Sequence, residues 1–236
     1  MKPVLGRASF RLMITPPKSE TITESLSDRS IMHVFTRTVI NKDFLFRLLL
    51  LVSLMTSGYA SAQNKRVSLF NGKDLTGWSV LKCEAEVKDR NLFIKSGNGL
   101  VQTDKKYRDF VLEYEWKALG ENNWDSGVYF RYTSVPKNSP WPKRYQANLL
   151  KGKEGNVGGI EGGTSKGLIK EREWNTFKLT VQGSKISLLI NGKEAWKADG
   201  LADLEAGFIA VQAEVPGGGQ HFFRNIFITE LESPKE

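Results

Sequence analysis

From Gln63 onward, apolar and polar residues follow one another with a period of two rather than 3.6. Phe110, Leu112, Tyr114 and Trp116 alternate with Val111, Glu113, Glu115 and Lys117; Val128, Phe130 and Tyr132 alternate with Tyr129, Arg131 and Thr133; Phe177, Leu179 and Val181 alternate with Lys178, Thr180 and Gln182. Successive side chains of a strand point to opposite faces, so this rhythm sends one set to a core and the other to solvent or ligand. Turn dipeptides punctuate the runs. Asn71-Gly72, Asn191-Gly192 and Gly183-Ser184 read as hairpin turns, the second between KISLLI and KEAWKA. Residues 207–213 and 221–231 close the chain with further strand-like runs. Many short strands with regular turn signals predict an all-β sandwich or barrel over residues 63–236, as one domain.

Residues 1–62 carry a different signal. The run LLLLVSLM at 48–55 follows Lys42 and Arg47 and precedes Ala60-Ser61-Ala62. A basic flank, a short apolar stretch and a small-x-small site describe a signal peptide cleaved near Ala62/Gln63. Met32 offers an alternative start that gives a leader of more usual length. The apolar run is far shorter than the roughly 20 residues a membrane span needs, so the mature form is expected to have no stable span. Secretion or a periplasmic location follows as the expectation.

Charge and composition exclude several function classes. The formal charge is +8, but residues 1–62 hold eight Lys/Arg against four Asp/Glu, which accounts for half of it. Downstream, bases and acids are interspersed with no basic stripe, so nucleic acid is not an expected partner. Cys83 is the one cysteine, so no intrachain disulfide forms, and it reads as a small buried apolar residue. The part after residue 62 has one histidine, His221, which excludes the usual multi-histidine zinc sites. No cofactor is expected; a divalent cation such as Ca²⁺ stays open, although no EF-hand-like spacing supports it. Residues 134–170 are rich in Pro and Gly and match no phosphate-cradling pattern. A long loop set on a rigid sheet is where function often sits.

Several blocks carry a resemblance. Leu69-Phe70-Asn71-Gly72-Lys73-Asp74-Leu75-Thr76-Gly77-Trp78, residues 109–116, Ser126-Gly127-Val128-Tyr129-Phe130-Arg131, residues 173–177, Asn191-Gly192-Lys193 and Phe223-Arg224-Asn225-Ile226 occur in that order. Together they resemble the 3-keto-disaccharide hydrolase family, formerly a domain of unknown function and also described as 3-keto-glucoside 1,2-lyase/3-keto-2-hydroxy-glucal hydratase. The resemblance covers almost all of residues 67–231. It implies a concanavalin-like jelly-roll β-sandwich of two antiparallel sheets, usually exported, acting on sugars oxidised at C3. Two departures stand out. Where the family has a Glu, this chain has Gln146; where it has an acid and a His after a Gln, this chain keeps Gln212 but continues Ala213-Glu214.

A ketone at C3 acidifies the C2 proton, so a base removes it, the C1 substituent leaves and water adds back. Such chemistry needs a base, a proton donor and a group that stabilises the ketone oxygen. His221 and Glu214 flank the turn Pro216–Gly219 and are expected as neighbours, with His221 as proton-transfer group and Glu214 as partner or base. If 110–117 and 126–133 form a hairpin, Glu115 stands opposite Tyr129 and Glu113 opposite Arg131, which gives Arg131 to the ketone oxygen or to an ion pair on a solvated face. Gln146, Asn148 and Gln212 suit sugar hydroxyls. Glu161 is a weaker base candidate. Among aromatics beside polar loops, Trp141 is the favoured stacking platform over Trp124 and Tyr145. The expected ligand is therefore a carbohydrate or 3-keto-glycoside. The rival reading is a non-catalytic, lectin-like carbohydrate-binding module. Convergence of Glu214, His221 and Arg131 in one pocket favours the enzyme; if they point to different faces, that catalytic assignment fails and only binding survives.

Overall fold

The computed structural model describes residues 64–233; the expected leader and its cleavage site lie outside them. Eleven strands follow one another: β1 (Arg66–Ser68), β2 (Trp78–Lys88), β3 (Asn91–Thr103), β4 (Phe110–Ala118), β5 (Gly127–Tyr132), β6 (Gln146–Asn148), β7 (Asn175–Gln182), β8 (Lys185–Ile190), β9 (Lys193–Asp199), β10 (Phe208–Val215) and β11 (His221–Glu230). The described residues contain no helix, and so none long and apolar enough to cross a membrane. The strands form one antiparallel sheet in the order β6-β5-β10-β3-β11-β4-β7-β8-β9, with β1 added to β11 and β2 to β3.

The sheet curls on itself. Its inner face takes alternate residues: Phe110, Leu112, Tyr114 and Trp116 from β4, Phe177, Leu179 and Val181 from β7, and Ile209, Val211 and Ala213 from β10 are all buried in one core. Leu112 and Tyr114 of β4 and Phe223 and Ile226 of β11 face Val128 of β5 and Ile209 and Val211 of β10 across the interior. Each such aliphatic or aromatic side chain removed from water contributes about 1.5–3 kcal/mol.

Strand β3 makes the curl. Its first part, Leu92–Ile94, pairs with β11, and its second part, Gly97–Gln102, pairs with β10. Around this junction, between Ile94 and Leu100, the β2–β3 register shifts twice. The backbones approach so closely there that a Cβ on Gly99 would lie 1.9 Å from the Leu81 carbonyl oxygen. Only glycine fits that contact.

Two turn expectations hold and one does not. Asn191 and Gly192 both have positive φ (51° and 77°) in the tight turn that joins the paired strands β8 and β9, as a type I′ hairpin requires. Gly183-Ser184 joins β7 and β8. Asn71-Gly72 makes no hairpin, because β1 pairs with β11 and β2 with β3. The Asn71 side chain instead accepts hydrogen bonds from the Lys73 and Asp74 amides, a local turn that competes with strand pairing.

The expected β4–β5 hairpin is also corrected. β4 lies between β11 and β7, whereas β5 pairs with β10 and β6. The connection 119–126 runs beside 216–220, held by Leu119 N–H to Gln220 O at 2.9 Å and Asp125 N–H to Gly218 O at 2.8 Å. It carries the chain from one part of the sheet to another. Glu115 therefore never faces Tyr129, nor Glu113 Arg131.

Candidate functional site

The outer face of β10, β5 and β6 gathers a row of polar side chains. Alternation buries Ile209, Val211 and Ala213 and turns Ala210, Gln212 and Glu214 the other way. Tyr129 of β5 stands opposite Gln146 of β6. The Gln146 side-chain amide donates to Gln212 Oε1, and Gln212 Nε2 donates to Glu214 Oε2 at 2.6 Å. This relay fixes the Glu214 carboxylate at the end of β10. The strand beneath is anchored by Ser126 Oγ–H to Gln212 O at 2.8 Å. The loop after β10 folds back through Gly218 N–H to Glu214 O at 2.5 Å. Gly218 is needed there, since a Cβ would lie 2.1 Å from the Asp125 carbonyl oxygen.

Electrostatics single out three groups. Partial burial pushes the Glu214 carboxyl above its ordinary value and the Asp125 charge pushes it further, while the Gln212 hydrogen bond pulls it back. Burial also raises Asp125, against the Ser126 amide and Lys153. Tyr129 is pushed up to about 12 by burial, then by the charges of Asp125 and Glu214. At neutral pH its hydroxyl is therefore a donor beside two carboxylates. Trp141 walls the row: its indole N–H donates to Ala213 O at 3.1 Å and it packs on the cluster of Tyr129, Tyr132, Leu100 and Ala210. Asp125 was not singled out by sequence reasoning. It lies before the strand, where alternation assigns no face; its place directly ahead of Ser126-Gly127-Val128 was the available signal.

Gly127 leaves room for this arrangement. A Cβ there would meet Gln146 Nε2 at 2.1 Å. Because the obstructing group is the end of a flexible side chain, Gly127→Ala is expected to swing Gln146 off Gln212 rather than unfold the strand. Sugar affinity should fall about tenfold by titration calorimetry, near the 1.4 kcal/mol of one lost hydrogen bond to a polar ligand, with little change in Tm.

Of the remaining predicted residues Asn148 shares the outer face of β6 with Gln146, the others lie elsewhere, and the expected convergence does not occur. Arg131 is a correction: its side chain is 0% exposed, 2.7 Å from Asp109 Oδ1. Its other N–H groups donate to Arg108 O at 2.5 Å and Gly183 O at 2.6 Å, so no donor reaches a sugar. The physical reason is a bulge. The β10–β5 register shifts between Phe208 and Ala210, and Arg131 takes a positive φ of 51°, so Tyr129 and Tyr132 share the outer face while Arg131 turns inward. Glu115 is on the other arm of the sheet, bonded to Arg224 Nε at 2.7 Å and Asn225 Nδ2 at 2.9 Å. Asn148 spends its Oδ1 on the Leu150 amide at 2.6 Å. Glu161 is exposed in the glycine-rich loop. Trp124 and Tyr145 are buried in the core.

His221 is the second correction. β3 intervenes between β10 and β11, setting Glu214 opposite Asn98 and His221 opposite Ile94. The imidazole is buried beside Trp116 and Phe223, Nε2 has no partner, and Nδ1 lies 3.3 Å from Gly219 O. Burial lowers its pKa from 6.5 to about 4. The unfolded chain thus takes up a proton below pH 6.5 that the folded protein refuses until about pH 4. Stability contributed by the neutral ring is present above pH 6.5 and lost as pH falls through that window, at up to about 1.4 kcal/mol per pH unit. His221→Phe is expected to flatten this acid slope in urea titrations at pH 7, 5.5 and 4; an unchanged slope refutes the assignment.

Among the described residues, no group of three or more His, Cys, Asp or Glu side chains gathers in a metal-binding arrangement. The fold resembles known structures at low identity. A candidate glycosyl hydrolase of Parabacteroides distasonis superposes with a TM-score of 0.55 at 22% identity, over 71% of this chain and 100% of that one. The carbohydrate binding module CBM66 of Bacillus subtilis gives 0.51 at 15% identity, over 65% and 96%. A Bacillus subtilis protein of unknown function with a galectin-like fold gives 0.51 at 9% identity, over 72% and 96%. No curated protein matches the chain. The family description "3-keto-alpha-glucoside-1,2-lyase-like domain" matches residues 65–229. By that match the chain belongs to the family of 3-keto-alpha-glucoside-1,2-lyase-like domains.

Proposed function

We propose that this protein is an exported carbohydrate-active enzyme that cleaves 3-keto-glycosides by elimination and hydration, on a two-layered jelly-roll scaffold. The observation that carries the reading is the Gln146–Gln212–Glu214 relay, which holds a carboxylate of raised basicity beside Asp125 and Tyr129. In this reading Glu214 takes the C2 proton and the C2–H electron pair becomes the enolate. The Tyr129 hydroxyl hydrogen-bonds the enolate oxygen. The C1–O bond then breaks, its electrons leave with the glycosyl oxygen, and a water molecule that hydrogen-bonds Asp125 supplies that oxygen with a proton. Water adds at C1 and a proton returns to C2, so the net change is hydrolysis. Family membership supports the substrate class; the leader residues support export, to the periplasm or beyond. A base poised above the ordinary carboxylate range suits abstraction next to a ketone.

A second reading, a binding module, is favoured by two features: the family's acid and His after Gln212 are Ala213 and Glu214 here, and Glu214, His221 and Arg131 do not converge in one pocket. Incubation of the purified protein with 3-keto-glucosides in D₂O separates the two. The enzyme releases the aglycone and incorporates deuterium at C2. Glycan binding with unchanged substrate and no exchange would leave only the module.

A further inference from the structure

A recess of about 780 Å³ opens at the opposite end of β5 from Glu214 and Asp125. It lies beyond Tyr132, between the segment after β5 and the segment 202–205. Pockets of roughly 300–1,000 Å³ hold ligands the size of a small oligosaccharide. We infer that this recess binds the far sugar residues of a longer chain whose reactive 3-keto unit lies at the Tyr129–Glu214 row, so that the preferred substrate is an oligosaccharide rather than a disaccharide. The inference rests on the function proposed above and adds the substrate's length.

Three observations carry it. The first is continuity. Tyr132 borders the recess and packs edge-on against Tyr129 of the polar row, ring centroids 6.3 Å apart; both are buried beneath Val135, Trp141 and Phe208, so the partly exposed Trp141 ring, tied to Ala213 O at 3.1 Å, is the surface a glycan crosses between the two. From Phe208, which pairs with Tyr132, to Glu214 the strand rises about 20 Å at ~3.3 Å per residue. A short glycan reaches that far; a single glycoside does not. The second is lining chemistry. Hydroxyls of Thr133 and Ser134 and the charged ends of Lys143 and Glu205 alternate with the apolar surfaces of Pro136 and Leu204, which matches a sugar's hydroxyl edges and C–H faces. The third is rigidity. Arg144 bridges the two walls with a two-pronged contact to Asp203, at 2.7 and 3.1 Å. Just behind it, the Ala202 amide donates to the Tyr145 hydroxyl at 2.8 Å. A recess tied on both sides is formed before any ligand arrives.

The test is a length series. Two-, three- and four-residue 3-keto-gluco-oligosaccharides, in α- and β-linked sets, are titrated into the purified protein and assayed for turnover. The tetrasaccharide is expected to bind at least tenfold more tightly than the disaccharide. Ser134→Trp, on the exposed rim, should erase that gain and leave the disaccharide's affinity and kcat unchanged; Leu204→Trp fills the recess from the other wall and should do the same. Equal affinity at every length overturns the inference while the proposed function stands. A length gain that survives both substitutions also overturns it. If no member binds, the function and the recess assignment fall together.

Discussion

Replacing Glu214 by glutamine is expected to lower kcat on a 3-keto-glycoside by roughly a hundred- to ten-thousand-fold, the range typical of a lost general base. Glutamine keeps the shape of the side chain and an oxygen for Gln212 Nε2, so the relay from Gln146 persists and affinity for an unreacted sugar should hold. Folding should not suffer. The native carboxyl is raised chiefly by burial and then by the Asp125 charge, so in the folded protein its ionised form is disfavoured. Its unfavourable contribution is absent below the unfolded pKa and appears as pH rises through the folded one. A neutral isostere removes it, and Tm at pH 7 should stay level or rise. The wild-type rate should also fall on the acid side with a midpoint above the ordinary carboxylate range. Full activity in Glu214→Gln would refute the assignment of the base.

The largest stability effect is expected at Asp109. Asp109→Ala should cost about 3–5 kcal/mol, because it strands the buried Arg131 guanidinium. For a domain of this size that corresponds to a fall in Tm of about 6–20 °C. The carboxylate organises several contacts at once: Oδ1 accepts from Arg131 Nη2 and from the Gly183 amide, both at 2.7 Å, and Oδ2 accepts from Ser233 Oγ at 2.6 Å. These join the end of β5, the start of β4 and the β7–β8 turn. Replacing both partners, as in Asp109→Leu with Arg131→Met, removes the stranded charge and should recover most of the loss. Thermal and urea denaturation of the two singles and the double check this. A single-mutant cost below 1 kcal/mol would show that water reaches the pair.

The same ion pair shows where the sequence was legible and where it was not. Alternation identified the inward faces of β4 and β7 residue by residue, and the Asn191-Gly192 and Gly183-Ser184 turns placed two hairpins. It also put Tyr129 on an outward position, where Gln146 stands opposite it; Gln212 and Glu214 were singled out by the resemblance and by their place before the turn, not by alternation. What alternation cannot carry is a slip. One left-handed residue at Arg131 reverses the parity of β5, and nothing in its identity announces it, since Arg is not a usual residue for that backbone region. Strand order was hidden for a different reason. Consecutive strands often pair, yet β4 and β5 are separated by the crossing segment 119–126, and β10 and β11 by β3. Both expected neighbour pairs, Glu115–Tyr129 and Glu214–His221, failed on that account.

The place of β10 and β11 in the sheet has a bearing on how the chain matures. Without them the remaining strands fall into separate pieces: β1 alone, β6 with β5, β2 with β3, and β4 with β7, β8 and β9. The joining contacts span long stretches of chain, such as Thr103 Oγ1 to Ile209 O, 106 residues apart. Closure must wait until residues 208–230 have left the ribosome, and so distant a pairing is slow to form. A polypeptide that stays open until its final segment emerges is one a secretion pore is able to thread, so late locking of the β-structure is what the proposed export would demand.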